Sequence, residues 1–110
     1  MTQKMIINHL KDSIRHHAFR AYIYEQLKYM DFDTSMSEYH KNVENGQAFQ
    51  AITTLNLITG KSCFGDKLYD EAVEEARQTV RQAQGDIVAM LNAMGHDGEA
   101  YYKNVTDRNW

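Results

Sequence analysis

The stretch DKLYDEAVEEARQTVRQAQGDIVAMLNAM, Asp66 to Met94, decides the fold. Apolar residues recur in it at Tyr69, Val73, Ala76, Val80, Ala83, Ile87, Met90 and Met94, alternately four and three apart, which keeps them on one side of an α-helix. Asp66 can cap the start, Asp70 and Glu71 sit where the positive end of a helix dipole favours acids, and Gly95 can close the end in a left-handed turn. The pattern predicts a single helix of roughly eight turns.

Upstream, Thr2 to Met30 predicts a second long helix whose apolar pattern changes side partway. Ile7, Leu10, Ile14, Ala18 and Ala21 form one stripe, and Phe19, Ile23, Leu27 and Met30 form another roughly opposite. Two faces need two partners. The rest of the chain covers one, and the favoured cover for the other is a second subunit, with a kink or another chain segment as alternatives. Phe19, Tyr22, Ile23, Leu27 and Met30 are therefore the expected interaction residues.

Between the long helices, Asp31-Phe32-Asp33 interrupts the periodicity, and Ser35 to Glu38 has the Ser-x-x-Glu spacing of a capping box. Met36, Tyr39 and Val43 read as the inner side of the helix that follows. Gly46 reads as its break, because Ala48, Ala51, Ile52 and Leu55 point to another side and glycine weakens a helix interior by about 1 kcal/mol. Gly60 ends the second piece. After Gly95, a turn leads to one helical turn over Ala100 to Val105, with Tyr101, Tyr102 and Trp110 supplying apolar surface for docking. The fold class is all-α. It is read as a small bundle of three main helices, a long N-terminal helix, a broken middle helix and the long helix 66–94, plus a short C-terminal turn, in one domain spanning 1–110.

Composition agrees. A chain of 110 residues with 43% hydrophobic and 25% charged residues can bury a core, and the lack of proline removes the strongest helix breaker. The formal net charge of −3 is too mild for a dedicated nucleic-acid binder, although residues 1–30 carry five Lys or Arg against two acids. Cys63 has no partner for an internal disulfide, no apolar run is long enough to span a bilayer, and Met1 to Leu10 lacks a secretory core. A cytoplasmic, reducing location is the default expectation.

No chemical constellation is complete. Gly60-Lys61-Ser62 precedes a helix as the end of a phosphate loop would, but Leu55 stands where the first glycine belongs. Glu71, Glu74, Glu75 and Asp86 offer carboxylates for magnesium, and Gly85-Asp86-Ile87-Val88 resembles the second motif of helical nucleotide pyrophosphohydrolases. The resemblance implies magnesium-dependent nucleotide hydrolysis, but Ala83 replaces the acid due three residues before the aspartate. His9, Asp12 and His16 share a helix face without a complete ligand set, and Cys63 reads as buried and inert. Lys11, Arg15 and Arg20 tint the first helix positive, which makes nucleic acid a further alternative.

The leading expectation is a non-enzymatic protein–protein interaction module without a cofactor, metal or membrane role. It self-associates, with a homodimer favoured, and occupies the surface of a partner of unknown identity. Small acidic helical chains of this kind suit a bacterial or viral accessory or inhibitor role.

Overall fold

Thr2 opens the first helix as expected, its Oγ1 accepting a hydrogen bond from the Met5 N–H at 3.2 Å. Helix α1 then runs Gln3–Tyr29 in the computed structural model, which describes residues 2–108. It is followed by α2 (Thr34–Thr59), α3 (Phe64–Ala83), α4 (Ile87–Ala93) and α5 (Gly98–Arg108). The fold is all-α, and no strand occurs among the described residues. Trp110 lies outside them.

The short turn between α1 and α2 makes these helices an antiparallel hairpin, on which α3 packs against both. Helices α4 and α5 pack on each other and close the end of the bundle where α1 meets α2. The molecule is a rod of 51 × 24 × 21 Å with a radius of gyration of 15.4 Å, against the roughly 13 Å of a compact chain of this length.

The break falls in the long helix and not in the middle one. Gln84 and Gly85 both take left-handed conformations (φ 50° and 83°), and Asp86 caps α4 by accepting from the Ala89 N–H at 3.2 Å. A glycine stop followed directly by an aspartate start ends one helix and begins another. The apolar spacing runs through the break because α3 and α4 bury their faces against the same core around Ile23 and Leu27.

Helix α2, by contrast, is continuous through Gly46. Its inner line is Ser37, Glu44, Ala48, Ala51, Ile52 and Leu55, buried on both sides of the glycine, and that packing outweighs the propensity penalty. Met36, Tyr39 and Val43, read from sequence as the inner side, are exposed. The predicted capping box does not form either. Ser37 Oγ donates to the Phe32 carbonyl at 2.7 Å, and Glu38 turns to Lys28 on α1 (2.7 Å) and to Lys41 (3.3 Å). The C-terminal element is an eleven-residue helix, longer than the expected turn, with Asp97 Oδ1 accepting from the Ala100 N–H.

Two apolar cores result. One joins Ile23, Tyr24, Leu27 and Phe32 to Ala76, Met90, Leu91, Met94 and Val105, and the other joins Ile14 to Ala51, Ile52, Leu55 and Leu68. At the second core α3 approaches α2 closely. A Cβ added at Gly65 would lie 3.0 Å from both Cα and Cγ2 of Ile52. Gly65→Ala is expected to destabilise the protein by about 1–3 kcal/mol despite alanine's better helix propensity, because the overlap is with backbone. Urea denaturation would register this as a lower midpoint with an unchanged slope.

Candidate functional site

The residues expected to face a partner are largely hidden. Ile23 and Leu27 are 0% and 1% exposed, covered by the chain's own α3, α4 and α5. Phe19 and Tyr22 are half-buried against the same core, and the Arg77 guanidinium lies over the Tyr22 ring at 5.8 Å. Of the five, only Met30 is exposed. The second stripe of α1 is satisfied by the tertiary fold itself.

Surplus apolar surface lies instead on the outer side of α2. Leu57 is 79% exposed, Tyr39 59% and Phe49 53%, with Met36, Val43 and Ile58 exposed to a lesser degree. Phe49 leans on Tyr69 of α3 with ring centroids 5.5 Å apart, so it rims the face, while Tyr39, Val43 and Leu57 stand free along it. From Asn45 through Gly60 no charged side chain occurs, and the charges of the preceding turns are engaged on the α1 side. Glu38 and Lys41 pair with each other and reach Lys28 and Glu25 of α1, while Glu44 is buried against α1. A solvated helix face normally carries charge; this one does not.

Between the two apolar cores runs a polar band that the sequence reading missed. The Glu44 carboxylate lies beneath α1, where Oε2 meets His17 Nδ1 at 2.5 Å and Oε1 lies 3.2 Å from Arg20 Nε. The Arg20 N–H does not point at that oxygen, so this contact is charge attraction more than a formed hydrogen bond. Arg20 also donates to the Met94 carbonyl at 3.4 Å and to the Tyr24 hydroxyl at 3.3 Å. With its oxygen accepting from Arg20, the Tyr24 hydroxyl is free to give its proton to His96 Nε2, 2.7 Å away. One cation thus ties α1 to α2 and to the end of α4.

Burial and the nearby Arg20 charge both hold His96 below the ordinary histidine pKa, with His40 acting in the same direction and Glu44 opposing. A histidine kept neutral in the fold binds fewer protons than in the unfolded chain. The stability it supports is fully present above pH 6.5 and is lost as pH falls from there through the lowered folded value. Thermal unfolding is expected to shift downward between pH 7.5 and 5.5, by less in a His96→Gln variant. An unchanged difference would place the titration elsewhere.

The remaining sequence candidates do not converge. Glu71, Glu74, Glu75 and Asp86 are exposed; Glu74 is held by Arg77 and Gln78 of its own helix, and Asp86 is the cap of α4. Among the described residues no three His, Cys, Asp or Glu side chains are placed to hold a metal ion. Arg15 pairs with Asp12, Lys11 lies over the Phe64 ring at 5.1 Å, and Arg20 is committed to the polar band, so they form no phosphate-binding row. His9 and His16 are separately exposed. Cys63 is exposed, contrary to the buried reading, at a left-handed position (φ 74°) just before α3.

A groove of about 610 Å³ between the start of α2 and α5 is lined by Met36, His40, Tyr101, Val105 and Arg108, and an Arg108–Asp33 pair of 3.3 Å lies at its edge. Through Met36 it continues the apolar side of α2. No helix among the described residues is long and apolar enough to cross a membrane. Comparison of the chain with family models, with curated proteins and with solved structures finds no match.

Proposed function

We propose that this chain is a non-enzymatic protein–protein interaction module that self-associates, and that it acts by occupying a partner's surface with the outer face of α2. The observation that carries the reading is the combination of Tyr39, Val43 and Leu57 exposed on one line with a run free of charge from Asn45 to Gly60. Large apolar side chains aligned in the open on a face without charge point to a surface that a partner covers. The total accessible surface, 6870 Å², also exceeds the roughly 6,300 Å² of a compact monomer of this mass. The polar band supports the same reading, because its carboxylate, cation and hydroxyl are used to join helices.

Light scattering on purified protein from micromolar to millimolar concentration tests the proposal. Wild type is expected to climb towards the mass of two chains, and Leu57→Glu to hold the mass of one across the range with unchanged helical content. A wild type that stays at one chain throughout would refute self-association.

A further inference from the structure

We infer that the occupant of the α2 face is a second copy of this chain, laid antiparallel so that Tyr39 and Val43 of each copy meet Leu57 and Thr53 of the other. The inference rests on the reading of α2 as the docking face and goes further by naming the partner and its orientation. Along the exposed side, Met36, Tyr39, Val43, Gly46, Gln50, Thr53 and Leu57 follow one another alternately three and four residues apart. Four of the seven, Met36, Tyr39, Val43 and Leu57, are large and apolar, at the seam spacing by which one helix packs along another. The same spacing read backwards superimposes on itself, so one face can serve both sides of a two-fold contact.

Gly46 points to a closely approaching backbone. A Cβ added there would meet nothing within 4 Å, so no contact inside the chain explains a glycine at the middle of a long helix. A second helix crossing at that point does explain it. In the antiparallel arrangement Gly46 receives the partner's Gln50, and the face therefore carries both a gap and the side chain that fills it.

Dipoles set the direction. The charged residues of α2, Glu38, Lys41 and Glu44, turn to α1 and leave the seam uncharged. Antiparallel pairing opposes the helix dipoles, whereas parallel pairing aligns them. Area is consistent with a stable pair. The exposed apolar side chains of the seam, Met36, Tyr39, Val43 and Leu57, present on the order of half of the roughly 800 Å² that each partner contributes to a standard interface, close to the apolar share of such an interface. An uncharged seam also offers nothing with which to select a strongly acidic or basic partner.

The experiment uses the full chain with Cys63→Ser to remove the native thiol. Tyr39→Cys and Leu57→Cys chains are made separately, mixed and mildly oxidised. Antiparallel pairing predicts a cross-linked species in the mixture and none from either variant alone. Self-cross-linking of each variant alone would show parallel pairing and overturn the inference. A wild type of two-chain mass whose cysteine mixture does not cross-link would move the interface to another face, leaving self-association intact. A wild type of one-chain mass would remove the underlying reading as well. Gly46→Ala supplies an independent sign test: the melting temperature of the dilute chain should rise by about 2–6 °C while the dimer dissociates at least about tenfold more readily. Unweakened association in Gly46→Ala would overturn the close approach at that residue.

Discussion

Glu44→Ala is expected to cost about 3–5 kcal/mol, a large part of the 5–15 kcal/mol that holds a typical domain folded. Among the described residues the carboxylate is the one anion that pairs with Arg20, and its removal leaves the guanidinium and His17 without that partner between two apolar cores. A cation left unpaired at a mostly buried site pays its desolvation with nothing in return. Helix α2 would lose its polar tie to α1, and Arg20, which reaches the Met94 carbonyl and Tyr24, would be drawn out of place. Replacing both members, as in Arg20→Met with Glu44→Met, is expected to recover most of the loss, because an apolar pair of similar size needs no compensation. Urea denaturation of Arg20→Met, Glu44→Met and the double variant measures this as a cycle. A Glu44→Ala protein within 1 kcal/mol of wild type would show that the band contributes nothing.

Leu27→Ala is the second large effect, expected at about 3–4 kcal/mol with no change in oligomeric mass at concentrations where the variant remains folded. Leu27 is enclosed by the core formed with α3, α4 and α5, so truncation opens a cavity in that core. Leu57→Ala is expected to do the reverse. In dilute solution it should change stability by less than about 0.5 kcal/mol, since Leu57 touches little of its own chain, while weakening association. The paired measurement, denaturation at low concentration and light scattering at high, separates the two roles. A lowered mass for folded Leu27→Ala would return the docking surface to α1.

This pair exposes where reading by periodicity went astray. The stripe Phe19, Ile23, Leu27 is surplus only where three helices cover a single face of α1. The chain in fact turns at Gln84-Gly85 and sends α4 and α5 back over the far face. The terminator was legible, since a glycine followed by an aspartate is both a stop and a start signal, but the apolar rhythm of the flanking residues ran through it. For α2 the error had the opposite sign. Met36, Tyr39 and Val43 are apolar and spaced as a core face would be, whereas the buried positions of that half are Ser37 and Glu44. Periodicity reports that a helix has a greasy side and is silent on whether anything covers it. The uncharged run from Asn45 to Gly60 was the available sign that the greasy side of α2 continues outward.

The sequence by itself determined that the chain is all-α and that helices begin or end near Thr2, Met30, Gly60 and Gly95. Those properties are local: they follow from side-chain spacing, caps and the absence of proline, which act within a few residues along the chain. Only the tertiary structure decided which stripe is enclosed and which is bare, and that Glu44 meets Arg20 and His17 across the α1–α2 contact. Burial depends on which helices return to cover a face. That is a property of contacts between residues far apart in the chain, such as Arg20 with Met94 and Tyr24 with His96, which no local pattern records.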